Sequence, residues 1–403
     1  MTVVERESAP SLVRADLGRS PFVRLRELLG DARPGMPPIS LAVGEPQHGV
    51  PPFVASVLAA HVEEFGRYPM NKGLDEMCEA AASWLGRRFL LPRPIDPANE
   101  VLVLNGSREG LFLAAIAAAR FVGGRLGTPA MLIPNPFYAA YAAGAAAAQC
   151  EPVYLPATAQ TGFLPDLDAL SEDLLARTVA FFIASPANPQ GAVADLTYLR
   201  RLVALARQFG FLVFSDECYS EIYTGGAPAG ALEAAAPDYA NVVEFQSLSK
   251  RSNLPGLRIG FVAGDRGFLA RFLELRNVAA PQVPMPAQRV AIAAYADENH
   301  VVENRRLYAQ KFDLADQIIA NRYAYRRPGG GFFLWLDVAA QGGDEEVTVR
   351  LWREAGLRVV PGRYLARDQA DGTNPGRGYI RVAMVADRET TAQALHRLVS
   401  ILG

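Results

Sequence analysis

Ser247-Leu248-Ser249-Lys250-Arg251-Ser252-Asn253-Leu254-Pro255-Gly256-Leu257-Arg258-Ile259-Gly260 is the stretch that decides how this chain is read. A lysine stands among small hydroxylated residues, and an arginine follows eight positions later, just before a glycine. A lysine amine can hold an aldehyde as a Schiff base. An arginine can neutralise a phosphate through its planar fork of donors. Proline and glycine between them let the backbone turn, so that both side chains reach one small ligand. Pyridoxal phosphate carries both groups. A lone Ser-Lys pair would most often be a solvated surface charge; the full run is far more specific.

The remaining bulk properties narrow the class. The chain has 403 residues, enough for about two domains. Half of them are hydrophobic and a fifth charged, as in a globular protein with a large core. A net charge of −2 offers no strong field to nucleic acid or a membrane surface. Cys78, Cys150 and Cys218 lack metal-ligand spacing, so no metal is expected, and an odd count argues against a disulfide framework. Buried thiols in a reducing compartment are the plainer reading. Met1–Glu7 carries early acidic charge and does not read as a signal peptide. The alanine-rich runs near Leu113–Ala119 and Ala139–Ala148 are too short to span a membrane. A cytoplasmic protein is expected.

Apolar runs alternate with helical patterns through the middle of the chain. Val101–Leu104, Ala130–Ile133, Val179–Ile183, Phe211–Phe214, Val242–Phe245 and Ile259–Val262 read as strands. Helices are expected over Ser107–Phe121, Phe137–Ala148 and Leu196–Gln208. This order predicts an α/β fold with a mainly parallel sheet covered on both faces. Such sheets bind ligands at the carboxyl ends of their strands, where Gly106, Ser107, Asn135, Asn188, Asp216 and Ser247 fall. From about Arg266 the pattern changes. One long helical stretch from Pro286 to about Ile319 leads to a strand after Gly329-Gly330-Gly331. A helix near Glu345–Glu354, a strand near Leu357–Val360 and a strand at Tyr379–Val385 follow. The expected division is a segment 1–45 packing with a small α+β domain 276–403, beside a large domain 46–275.

Pyridoxal phosphate needs its aldehyde bound, its ring nitrogen kept protonated, its phosphate anchored and its ring oriented. Asp216 ends an apolar strand and can pair with the ring nitrogen, although a helix cap is the ordinary use of such a residue. Tyr219 can bond the phenolic oxygen. Asn188 can donate to the same atom, while Asn188-Pro189-Gln190-Gly191 is also an ordinary turn. Gly106-Ser107-Arg108 follows a strand and opens a helix, a phosphate cradle completed by Ser249 and Arg258. Tyr138 can stack on the ring, or be a core aromatic. Arg381 lies between apolar neighbours and needs an anion, either a substrate α-carboxylate or a structural ion-pair partner. Lys250 would also move a proton at the substrate α-carbon, so its pKa should lie below that of a free lysine, through the bound cofactor and nearby cations.

Together these motifs resemble the class I/II aminotransferases of fold type I over nearly the whole chain. The resemblance implies a seven-stranded, mainly parallel sheet between helices. Leu41-Ala42-Val43-Gly44-Glu45-Pro46, Tyr68-Pro69-Met70-Asn71-Lys72-Gly73-Leu74, Asn135-Pro136-Phe137-Tyr138, Ser215–Tyr223, Ser247–Asn253 and Tyr364–Asp368 look like the succinyldiaminopimelate aminotransferases of lysine biosynthesis. This implies that Gly44 lies at the substrate carboxylate and that Tyr68 reaches the cofactor phosphate of a neighbouring subunit in a homodimer. The implied reaction passes an amino group from glutamate to N-succinyl-2-amino-6-oxopimelate, leaving 2-oxoglutarate. Leu275–Val283 and Arg363 depart from the pattern and are expected to border the substrate mouth. A dianionic acyl tail needs a cation, and Lys72 and Arg108 stand beside cofactor motifs. Other aminotransferases of this fold, acting on aspartate, aromatic or branched amino acids, and cofactor-dependent C–S lyases share these features. So does a regulator without turnover, though no basic helix-turn-helix precedes the first motif.

Overall fold

The computed structural model describes residues 19–125 and 127–403. The reading of Met1–Glu7 and the first part of segment 1–45 lie outside the described residues. Among the described residues there are twelve strands. They are β1 Ile39–Ser40, β2 Val101–Leu104, β3 Ala130–Asn135, β4 Glu151–Pro156, β5 Thr178–Ala184, β6 Leu212–Asp216, β7 Val242–Ser247, β8 Gly260–Gly264, β9 Phe333–Asp337, β10 Leu357–Arg358, β11 Val360–Pro361 and β12 Tyr379–Ala383.

Seven of them form one sheet in the order β2-β8-β7-β6-β5-β3-β4. The pairs β3·β4, β3·β5, β5·β6 and β6·β7 are parallel. Only β8 runs antiparallel to its neighbours. Successive side chains enter opposite layers. Val213 and Phe181 join a core with the helices Asp75–Arg88, Leu196–Phe209 and Met285–Ala296. Phe182, Leu212 and Phe214 join a second core with the helices Ser107–Val122, Ala139–Ala147 and Arg266–Ala279. Both faces are therefore dry, which is why these strands read as unbroken apolar runs.

The seventh strand, β4, has no counterpart among the runs read from the sequence. Its residues Glu-Pro-Val-Tyr-Leu-Pro carry two prolines and are mostly half-buried. Proline gives no ladder hydrogen bond and is tolerated at an edge, where β4 lies. The single long helix expected from Pro286 is two, Met285–Ala296 and Asn299–Ile318. Asp297 breaks it, its carboxylate accepting from the amides of Asn299 and His300 at 3.2 Å each. The strand expected near Leu357–Val360 is split. β10 pairs in parallel with β1, while β11 pairs antiparallel with β12, which continues to β9. Phe333, Leu334, Leu336, Ile380 and Val382 build a further core with Tyr308 and Phe312. The helix Pro21–Leu29 packs through Leu25 and Leu29 on Trp335, Val360 and Leu365.

A buried acidic pair joins β6 to β7. Glu217 and Glu244 are 1% and 0% exposed. Glu217 Oε1 accepts from Ser215 Oγ and the Ala231 amide, each at 2.8 Å, and Glu244 Oε1 accepts from Gln246 Nε2 at 2.8 Å. The other oxygen of each has no hydrogen-bond partner among the described residues. Burial and the neighbouring carboxyl push Glu217 well above the usual carboxylate range. Burial raises Glu244 to about 7. A carboxyl raised from 4.5 stabilises the fold fully below that pH and loses its contribution as pH rises through about 7. The melting temperature should therefore fall across that interval. Glu244→Gln, which stays neutral, should flatten the decline in calorimetric scans taken at successive pH values.

Candidate active site

β7 delivers its last residue, Ser247, to the carboxyl edge of the sheet, where a single helical turn, Leu248–Arg251, begins. Ser247 Oγ accepts from the Ser249 amide at 3.1 Å and donates to Ser249 Oγ at 3.0 Å. That cap aims Lys250 into the cleft. Its Nζ donates to the Gly44 carbonyl at 2.5 Å and stands 5.4 Å from the centroid of the Phe332 ring. Burial lowers its pKa to about 8, and Arg381 and Arg258 push the same way. The direction is the one expected. The main cause is burial rather than the neighbouring cations. An amine so placed is partly neutral near physiological pH and can act as a nucleophile.

Asp216 closes the neighbouring strand. Its Oδ2 accepts from Tyr141 Oη at 2.7 Å and its Oδ1 from the Cys218 amide at 3.3 Å. Burial raises its pKa, while these bonds and Lys250 oppose the rise. A carboxylate has about four lone-pair sites, so each oxygen retains one for a further donor such as a ring N–H. Tyr141 was not among the candidates in the sequence. It stands three positions after Tyr138, where helical spacing turns it inward, and it stacks on Phe182 at 4.8 Å.

The cradle is made of backbone and guanidinium. Gly106 has φ +80°, and a Cβ there would lie 2.3 Å from Arg258 Nη2. Only glycine lets that arginine close over the head of the Ser107–Val122 helix, whose first amides lack helical partners. Arg258 Nη1 donates to the Pro255 carbonyl at 2.8 Å. Ser107 Oγ lies 3.1 Å from Cys218 Sγ. The three cysteines are free and buried.

Arg381, on β12, is 5% exposed. Its Nη2 donates to the Ala42 carbonyl at 2.7 Å and its Nη1 to Asn188 Oδ1 at 3.1 Å, beneath the Phe333 ring at 4.5 Å. Its Nε has no partner among the described residues. Burial lowers its pKa to about 10. Among the described residues no carboxylate pairs with it, so the ion-pair alternative finds no partner and the guanidinium is available to an incoming anion. A Cβ on Gly44 would strike the Phe333 ring at 2.5 Å, so glycine keeps this corner open. Tyr219 packs against Phe332 and Phe333 at 5.2 and 6.0 Å, and burial keeps its phenol protonated.

Other candidates sit further out. Tyr138 accepts from Arg108 Nε and meets Tyr141 edge-on at 5.7 Å. Arg108 is thus bound to an aromatic already in the cluster. Lys72 Nζ lies 3.4 Å from Asp75 Oδ1, and Tyr68 is 95% exposed, touching none of the other candidates through a hydrogen bond. Asn135 is spent on structure, its side chain exchanging two 2.9 Å bonds with the main chain of Arg367. Arg363 is bound to acids of its own domain. Its guanidinium is engaged by the fully buried Asp344 and by Glu345 at 2.7–3.0 Å, because a buried carboxylate requires a cation.

The donor set fits pyridoxal phosphate. An amine, a carboxylate and a helix head with an arginine closed over its glycine lie together at the strand ends, the groups that an aldehyde, a ring nitrogen and a phosphate require.

Residues 37–398 match the family described as aminotransferase class I and II. An LL-diaminopimelate aminotransferase of Moorella thermoacetica is 31% identical over 387 residues, covering 95% of each chain. An aminotransferase structure from Neisseria meningitidis superposes with a TM-score of 0.90 at 39% identity, covering 96% of this chain and 98% of that one. A probable N-succinyldiaminopimelate aminotransferase of Thermus thermophilus superposes with a TM-score of 0.81 at 26% identity, covering 95% and 100%. With its seven-stranded, mainly parallel sheet and this cluster at the strand ends, the chain belongs to the class I and II aminotransferases, a family that uses pyridoxal phosphate.

Proposed function

We propose that this aminotransferase passes an amino group between glutamate and N-succinyl-2-amino-6-oxopimelate in two half-reactions that share one site. The observation that carries the reading of the site is Arg381, a buried guanidinium that, among the described residues, has no acid beside it and an unpartnered Nε. A substrate α-carboxylate meets that need with two parallel charge-assisted bonds. Bound pyridoxal phosphate supplies an electron sink for the charge that develops at the substrate α-carbon. Lys250 holds the cofactor between turnovers and then takes and returns the α-proton at its Nζ, a task suited to an amine whose pKa is lowered to about 8. Asp216 keeps a proton on the ring nitrogen. Asn188 and the Tyr219 phenol donate to the ring's phenolic oxygen, and Tyr138 covers the ring. Gly106, Ser107, Ser247, Ser249 and Arg258 hold the phosphate. Gly44 flanks the substrate carboxylate.

The acyl tail calls for a further cation. Lys72 and Arg108 remain the candidates, each with one polar side-chain partner from which an anion can draw it. The same reading takes the protein to be a homodimer. Tyr68 stands 95% exposed beside Phe65 at 59% and Met70 at 55%, apolar surface that a second copy can cover while bringing Tyr68 to its partner's phosphate cradle. Among the described residues no helix is long and apolar enough to cross a membrane.

A second reading has free LL-diaminopimelate as the long substrate. The similarity to enzymes bearing that name favours it.

Lys250→Ala should abolish turnover and the visible absorbance of the bound cofactor. Retention of both would remove Lys250 from its role. Arg381→Leu should lower kcat/KM for glutamate by about a hundredfold, since each lost charge-assisted bond costs about 1.5–3 kcal/mol. To choose the substrate, the enzyme is given glutamate with the succinylated oxo acid, and separately LL-diaminopimelate with 2-oxoglutarate. Formation of 2-oxoglutarate in the first mixture supports the proposal, whereas glutamate arising only in the second replaces it. In the first case Lys72→Ala or Arg108→Ala should raise KM for the succinylated acid by about tenfold. If neither does, the tail is held elsewhere.

A further inference from the structure

A buried polar chain outside the cofactor constellation ends on the main chain of Lys250. Lys311 and Asn304 are 2% and 3% exposed and lie seven residues apart on one face of the Asn299–Ile318 helix. Lys311 has no carboxylate partner among the described residues. Its Nζ donates to the carbonyls of Met384 and Val385 at 3.1 and 3.3 Å and lies 2.7 Å from His48 Nε2. The direction of every bond then follows. The Asn304 amide nitrogen faces two main-chain carbonyls, so its Oδ1 faces His48, whose Nδ1 carries the ring proton and whose Nε2 presents its lone pair to Lys311. His48 Nδ1 lies 2.7 Å from Asn304 Oδ1 and donates to it. The Asn304 amide nitrogen donates to the carbonyls of Lys250 and Arg251, at 3.1 and 3.3 Å.

Two facts tie this chain to the chemistry. The Gly44 carbonyl that receives Lys250 Nζ lies four residues before His48, so one short segment bonds the amine directly and reaches the lysine's main chain through Asn304. Met384 and Val385 directly follow β12, the strand of Arg381. The rings repeat the link. His48 lies 4.5 Å from Tyr308, which stacks at 5.3 Å on Phe332, the ring beside Lys250 Nζ.

We propose that His48, Asn304 and Lys311 are positioning residues for amino transfer, locking the main chain at Lys250 to the end of the strand that carries Arg381. The lock keeps the amine and the guanidinium at one spacing. This inference rests on the site roles of Lys250 and Arg381 proposed above, whose failure shows separately in the Lys250→Ala and Arg381→Leu variants.

The test uses the cofactor-loaded enzyme. Asn304→Asp can still accept from His48 but turns an acceptor toward two carbonyls. His48→Gln keeps an acceptor near the Nε2 position and loses the Nδ1 donor. His48→Asn keeps a donor near Nδ1. For each, the pH midpoint of the cofactor's visible absorbance, kcat, KM for glutamate and the melting temperature are measured. Because a displacement near 1 Å can cost about a hundredfold in rate, Asn304→Asp and His48→Gln should lower kcat by about ten- to a hundredfold and shift the midpoint. KM should change far less, because Arg381 keeps its own bonds. His48→Asn should recover much of the kcat lost in His48→Gln. Wild-type midpoints and kcat in all folded variants would overturn the proposal. So would equal losses in His48→Gln and His48→Asn with an unchanged midpoint. Should Asn304→Asp fail to fold, the two His48 variants decide alone.

Discussion

Parallel pairing of β3, β5, β6 and β7 forces their carboxyl ends to one edge of the sheet, and the site depends on that constraint. The register sets Asp216 beside Phe245 and places Ser247 two residues further along β7. Lys250 follows within one turn. Helices on both faces keep water from the ladder, and a fully buried Phe or Leu contributes about 1.5–3 kcal/mol. Phe181, Phe182, Leu212, Val213, Phe214 and Phe245 are all at most 1% exposed. The edge is therefore held by packing on both sides and can carry groups that packing alone would reject.

Those groups are costly. Lys250 and Arg381 both have their pKa lowered by burial, and Asp216 has its raised. Each gives up water without a full set of partners. Arg381 keeps an unpaired Nε, and Lys250 bonds a main-chain carbonyl rather than an acid. A shell built for stability alone would pair or remove such charges. Their incompletely satisfied state is one that an aldehyde and phosphate on one ligand and a carboxylate on a second can relieve. The buried Glu217–Glu244 pair and the His48–Asn304–Lys311 chain differ, since they bond mainly to the protein's own atoms.

Legibility in the sequence followed the physics of burial. β2, β3, β5, β6 and β7 announced themselves because both faces are apolar, leaving short hydrophobic runs bounded by turns. β4 did not, because an edge strand tolerates proline and needs burial on fewer sides. The break at Asp297 was hidden for a related reason. Apolar periodicity continues through it, and only the local bonds of its carboxylate show that the helix stops. Arg363 carries no sequence sign that a fully buried Asp344 awaits it.

Residue chemistry in short windows was settled by the sequence alone: the lysine among hydroxyls, the arginine before a glycine, the glycine opening a helix and the aspartate ending a strand. These are local because cap, turn and donor geometry act over a few residues. Which groups share a cleft was decided by tertiary structure. Gly44 meets Lys250 across 206 positions, Arg381 meets Asn188 across 193 and Ala42 across 339, and Tyr141 reaches Asp216 across 75. No window spans such separations. Only strand order and the packing of helices on the sheet bring those atoms within bonding distance, and burial, which sets their pKa values, exists only once that packing is complete.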